Sequence, residues 1–313
     1  MTDLITGLYK AKLEAYNLPY DLTISTATIT CKIDVLFDVD NIAHYFNDFD
    51  DIIIGKKYGN RIINNLINIK KIKTGKKKKK KEKKNFFNQV SLIFRTATLM
   101  GIDPDKLSLK EKFKNINVKL FINGSIQMTG CKHLNNITKC LEILFEKLKN
   151  TKAILNHKFK FEKKNFLKNI NEINPSCFNL NYDLTKYTND PYKHLKIENI
   201  YIFDIHMINT NFNIGFQIKR DTLCELLINN GFDASLDPNV RECVIKYTIP
   251  SLNKTISIFV FESGSITIAG SNSYDQILYT YNFINKFILT NYKKLLSKSI
   301  TDKLLIQLAQ NIK

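Results

Sequence analysis

The sequence is short of arginine. Four occur in 313 residues, Arg61, Arg95, Arg220 and Arg241. Bidentate reading of guanine by arginine forks therefore cannot be a widespread device in this chain. A coding bias toward A and T would produce the same scarcity. Cysteine is sparse and unpatterned: Cys31, Cys131, Cys140, Cys177, Cys224 and Cys243 form no CxxC and stand at no zinc-finger spacing to a histidine. Several lie in apolar stretches, so buried, reduced thiols are expected rather than a disulfide framework. No apolar run reaches the ~18 residues that mark a membrane-spanning helix. The first residues, MTDLITGLYKAKLEAY, lack the basic start and apolar stretch of a signal peptide. These absences predict a soluble, intracellular protein with no membrane partner. Catalytic signatures are missing too: there is no GxxxxGKS/T, GxSxG or HExxH, and His44, His133, His157, His194 and His206 are scattered. The expectation is a protein that is not an enzyme, with no catalytic residues, metal, cofactor or small-molecule substrate.

Apolar and aromatic residues are plentiful. The chain is 44% hydrophobic, with 21 Phe and 14 Tyr. That is enough for one large domain or two smaller ones. Positive charge is abundant and unevenly spread. Residues 70–84 hold eleven lysines against one glutamate, which is +10 of the formal +18. Such a chain favours polyanions, either nucleic acid or an anionic membrane face. The run has no hydrophobic pattern and reads as an exposed, flexible loop. It needs no function as a solvated loop. It can equally serve as a phosphate-contacting or nuclear-import element, with Lys76, Lys77, Lys78, Lys79, Lys80, Lys81, Lys83 and Lys84 as the phosphate candidates.

One unit occurs twice. FINGSIQMTG, residues 121–130, and FESGSITIAG, residues 261–270, share Phe, Gly, Ser, Ile and Gly at the same offsets. In the first half, LTISTATITCKID reads as a strand and DVDNIAHYF as a short helix with Asp40 as its N-cap. FFNQVSLIFRTATLM reads as a strand, and INVKLFINGSIQMTG as a hairpin around Asn123-Gly124. NNITKCLEILFEKLKN places Ile137, Leu141, Leu144, Phe145 and Leu148 on one helical face. The second half repeats the order. LKIENIYIFDIHMI is a strand, KRDTLCELLINNGF a helix, VRECVIKYTI a strand, KTISIFVFESGSITIAG a hairpin and YDQILYTYNFINKFIL a helix, with more helix after it. The predicted organisation is a first repeat over 20–150 carrying the insertion 70–84, a connector over 151–192 broken by Pro175 and Pro191, and a second repeat with a C-terminal helix over 193–313.

This doubled order resembles the TATA-box-binding protein family. The resemblance rests on ISTATITCKID (24–34), the hairpins LFINGSIQMTGCK and IFVFESGSITIAG, and LKIENIYIFDI with Asn199. It covers residues 20–148 and 193–290. The lysine insertion and long connector look closer to the divergent TATA-binding-like proteins of large DNA viruses. The fold implied is an α+β, pseudo-two-fold saddle: two repeats form one curved antiparallel sheet, with helices on the convex face. The function implied is a transcription initiation factor that binds AT-rich promoter DNA in the minor groove and inserts apolar wedges between base steps. Double-stranded DNA, RNA polymerase and other transcription factors are the implied partners. The implied location is the nucleus, or the viral factory or virion for a viral protein.

The resemblance places wedges at Phe121, Phe261 and Phe87, with Phe86 an equal alternative register for the last. The fourth position falls in SLDPNV, where Asp237 precedes the matching Pro238 and Leu236 is the nearest apolar residue. A carboxylate there would be repelled by phosphates. By strand alternation, Ile24, Gln127, Thr129, Asn199, Tyr201, Thr267 and Ala269 are expected to share the DNA-facing side. Each assignment has a plain counterpart: a strand Phe is commonly a core residue, and Asn199 can cap a turn. Two other functions stay open. One is an interaction scaffold of the same fold that has lost independent DNA binding, motivated by Asp237, Leu22 and Tyr201. The other is RNA or single-strand binding by an aromatic-bearing sheet.

Overall fold

The computed structural model describes residues 18–59, 61–64, 87–103, 114–132, 134–150, 152–155, 160–168, 190–237 and 242–297. The lysine run, Phe86, His133, Pro175 and Pro238 lie outside these residues. Two compact units share the described chain: residues 28–204 form one, and residues 18–27 with 205–297 form the other. Both combine antiparallel strands with helices, so the class is α+β.

The first unit contains the later part of β1 (Thr23–Ile33), then α1 (Val39–Tyr45), β2 (Ile53–Tyr58), β3 (Arg61–Asn64), β4 (Gln89–Arg95), α2 (Thr96–Leu99), β5 (Asn115–Phe121), β6 (Ser125–Cys131) and α3 (Leu134–Lys149). The β7 (Lys152–Leu155) and β8 (Phe161–Lys164) hairpin follows, and β9 (Ile200–Asn213) begins here. Its sheet runs β3–β2–β4–β5–β6–β1. The stretch expected as one strand over 86–100 ends at Arg95 and turns into α2.

Alternation fixes which face is core. In β5 and β6, Ile116, Val118, Leu120, Ile126 and Met128 are buried, while Asn117, Lys119, Phe121, Gln127 and Thr129 are half-buried on the opposite face. The apolar side of α3, Ile137, Cys140, Leu141, Leu144, Phe145 and Leu148, is fully or almost fully buried. Gly124 closes the β5–β6 hairpin at φ 80°. A Cβ there would collide with the carbonyls of Ile33 and Val35, so the position requires glycine on two counts. The N-cap of α1 is Asp38, whose side chain accepts from Asn41 N at 2.9 Å. Asp40, the residue expected to cap, instead sits in the first turn and accepts from Tyr58 Oη.

Part of the presumed connector is core. Phe166 and Leu167 are each 1% exposed. Leu167 bridges Phe37, Asp38 N donates to Phe166 O, and Lys168 N donates to Leu36 O, both at 2.9 Å. Phe166 also meets Phe46 with ring centroids 5.7 Å apart. No turn or proline signal in the sequence announced this strap.

The second unit holds the rest of β9, α4 (Arg220–Asn229), β10 (Asp233–Leu236), β11 (Glu242–Ile249), β12 (Lys254–Phe261), β13 (Ser265–Ser271), α5 (Tyr274–Thr290) and α6 (Tyr292–Leu295). Its strands run β10–β11–β12–β13–β9, and residues 23–27 of β1 lie beyond β9. There Thr23 Oγ1 donates to Asn211 O at 3.2 Å and Ser25 Oγ to Asn209 O at 3.0 Å. Ile256, Ile258, Val260, Ile266 and Ile268 are buried, and α5 adds Ile277, Ile284 and Ile288. Tyr247 stacks on Phe283 of α5 at 3.9 Å between centroids.

Candidate nucleic-acid interface

The strand register follows the same pattern inside each unit. In the first, Asn117 faces Thr129 and Lys119 faces Gln127 across the hairpin. In the second, Ser257 faces Ala269 and Phe259 faces Thr267. One strand further out, Gln89 faces Phe121 and Glu242 faces Phe261. Phe121 and Phe261 are therefore the same position in two copies. Both are half-buried, on the face opposite the core, at the last residue before a Gly turn. Gly264 repeats the role of Gly124: its φ is 82°, and a Cβ would collide with Phe216 O.

Phe87 stands two residues before Gln89 and is 56% exposed. Its ring lies edge-on to Tyr58, 5.4 Å between centroids. A Cβ at position 59 would come within 2.9 Å of Phe87 Cε1, so Gly59 makes room for the ring. Burial, then the neighbouring Asp40, holds the Tyr58 hydroxyl up at about 12. Tyr58 thus stays a neutral hydrogen-bonded phenol beneath Phe87.

The same register moves the fourth position. Counting back two residues from Glu242, the partner of Phe261, reaches Val240, not Asp237. Lys57 faces Ser91 and Ser235 faces Val244, so Leu236 is the counterpart of Tyr58 and Asp237 that of Gly59. The assignment of Asp237 to a wedge position is corrected accordingly. The loops differ greatly in length, and matching on proline alone slipped by three residues. Val240 itself lies outside the described residues, as do all eight phosphate-candidate lysines, Lys76 to Lys81, Lys83 and Lys84.

The remaining face residues divide. Gln127, Thr129, Thr267 and Ala269 are half-buried on the open faces of β6 and β13, in line with alternation. Ile24 is half-buried on β1 and belongs to the second unit, and Tyr201 is 45% exposed at the start of β9. Asn199 is not on a strand. It ends a 3-10 turn, and its Nδ2 donates to His194 O at 3.0 Å. That bond caps the turn and occupies the group expected to read a base.

Several open-face residues were missed. Phe259 lies between Val244 and Thr267, two residues from Phe261; Lys119 occupies the matching place in the first unit. Strand alternation from Phe121 and Phe261 would have found both. Asn115, Asn117, Asn209 and Asn211 each hold a buried Oδ1 with no hydrogen-bond partner among the described residues. Unsatisfied polar atoms of this kind invite water or a ligand. At the base of β5 and β6, burial lowers the Lys132 ammonium and the nearby Lys114 lowers it further, a local concentration of positive charge. The described residues contain no group of three or more potential metal-ligating side chains. No described helix is long and apolar enough to cross a membrane.

No family model matches the sequence. A curated protein described as "TATA-box-binding protein-like", from Acanthamoeba polyphaga mimivirus, is 32% identical over 289 residues, covering 88% of this chain and 67% of that protein. Among solved structures, the TBP of Methanococcus jannaschii is similar with a TM-score of 0.42 and 13% identity, over 86% of this chain and 99% of that one.

Proposed function

The chain belongs to the TATA-box-binding protein-like family, and from that premise we propose that it is a transcription initiation factor that grips promoter DNA through the minor groove. The observation that carries the reading is the recurrence of Phe121 and Phe261 at one register position on two open sheet faces. An aromatic ring on a polar face, next to a turn that only glycine can make, is poorly explained by packing alone. It is well suited to enter a partly unstacked base step. Phe87, exposed and backed by Tyr58, is a further wedge of the first unit. Gln127, Thr129 and Thr267 offer donors to the N3 and O2 acceptors that A·T pairs display. Lysines supply phosphate attraction, which is sequence-independent and salt-sensitive. RNA polymerase and other initiation factors are the partners that such a bent DNA complex would serve, at the site where the template is transcribed.

The test is binding and bending of an AT-rich duplex, measured by anisotropy and by end-to-end energy transfer. Phe121→Ala and Phe261→Ala should each weaken binding by about tenfold or more and reduce the bend, since each wedge offsets a few kcal/mol of unstacking. Unchanged affinity and unchanged bend in both variants would refute the wedge reading. A wild-type chain that ignores duplex DNA but enters a transcription complex would favour the scaffold reading instead.

A further inference from the structure

Across the open face of the first unit runs one rung of cross-strand partners. Lys57 of β2 faces Ser91 of β4, Ser91 faces Lys119 of β5, and Lys119 faces Gln127 of β6. Cross-strand partners share a face, so two ammonium groups flank one serine. Ser91 is only 5% exposed, although it lies on the open face. Lys119 is half-buried, with a strand on either side and Phe121 two residues away, about 7 Å along the strand. It is an interior residue of the face, not a rim residue. The corresponding rung of the second unit reads Ser235, Val244, Phe259, Thr267 and carries no charge.

We infer that Lys119 is a specificity-determining residue that excludes guanine from the base pair beneath it in the minor groove. This deepens the reading of the preceding section and rests on it. The chemistry is one of donors and acceptors. A lysine ammonium has three donors and no acceptor. An A·T pair shows only acceptors in the minor groove, whereas a G·C pair adds the guanine N2 amino donor. Beneath Lys119 that amino group would meet another donor, and the ammonium, set into the face, would lose its partner. Phe259 carries no charged donor, so this clash of ammonium with amino group arises under the first unit and not at the matching place of the second. The two half-sites are then read unequally, which orients the protein on its element.

The experiment scans an all-A·T duplex with single G·C and single I·C pairs, inosine being guanine without the N2 amino group. Wild type should lose about tenfold in affinity for G·C at one position and recover with I·C there. Lys119→Met should abolish the difference between G·C and I·C at that position and leave the rest of the scan unchanged. Lys119→Arg, which keeps the donors, should retain the difference. Equal weakening of Lys119→Met on every duplex, with a shallower salt dependence, would mark a phosphate contact and overturn the inference while leaving duplex binding intact. So would a scan in which Lys119→Met discriminates as wild type does. Absence of duplex binding by the wild type would overturn the broader reading and this inference together.

Discussion

Lys56 is a cation held inside the first unit, 3% exposed, in the middle of β2. Its Nζ donates to Phe46 O at 2.5 Å and to Ile42 O at 3.3 Å, two carbonyls at the C-terminal end of α1. The end of a helix is the right place for a positive charge, yet burial pulls the ammonium down from 10.5 to about 8. The unfolded chain therefore holds the proton more firmly than the native one between pH 8 and 10.5. Stability must rise with pH across that window, and the cost of charging Lys56 is fully present below pH 8. Buried thiols complicate the upper part of the range, because burial raises Cys31 and Cys131 to about 12, which opposes the trend above pH 9. A comparison removes them. The stability of wild type relative to Lys56→Met, from urea titrations, should climb by up to about 3 kcal/mol from pH 8 to 10.5. A flat difference would mean that Lys56 titrates normally. This residue is not legible locally: KKY reads as a polar strand end, and burial of its first lysine depends on a helix packed against it.

Among the elements, the hairpins were the most legible. Asn123-Gly124 and Ser263-Gly264 sit between alternating runs, so turn and face are both written locally, and both hairpins occur where expected. Pairing between strands distant in sequence was not legible. Nothing near Asp237 says that it is the counterpart of Gly59 rather than of Phe87, because that is decided by the register of β10 on β11. Nor does anything in FEKKNFLK separate a linker from a strap. Yet Phe166 is sealed against Phe46 and backed by Tyr192, whose hydroxyl accepts from Phe166 N at 3.1 Å. Phe166→Ala should lower the unfolding free energy of the first unit by about 3–5 kcal/mol, the usual cost of emptying a phenylalanine site. Chemical denaturation followed at the far-UV signal checks it, and a loss below about 1 kcal/mol would return this segment to the status of a linker.

For the whole molecule, charge is the property to test. The formal net charge is +18, and residues 70–84 supply +10 of it. If that run contacts phosphates, its deletion should weaken duplex binding and flatten the dependence of log affinity on log salt, each contact contributing a slope of about −0.9. Anisotropy titrations over a range of potassium chloride would show this. An identical slope with and without the run would assign it to solvent. The doubled architecture was readable from the repeated hairpins. The partition of β1 and β9 between units was not, since each reads as one uninterrupted strand.

That partition has a consequence for how the chain is made. Thr23 and Ser25 bond to Asn211 and Asn209, partners 188 and 184 residues downstream. Residues 23–27 leave the ribosome before the first unit does but belong to the second, whose other strands leave after it. The first unit can begin to close while synthesis continues; the second must wait for its last strands and then recover a segment made before the first unit. Such a distant closure is slow to form. Until it forms, the tail ISTA trails as an unpaired edge, the moment at which nascent chains are most open to mispairing with one another.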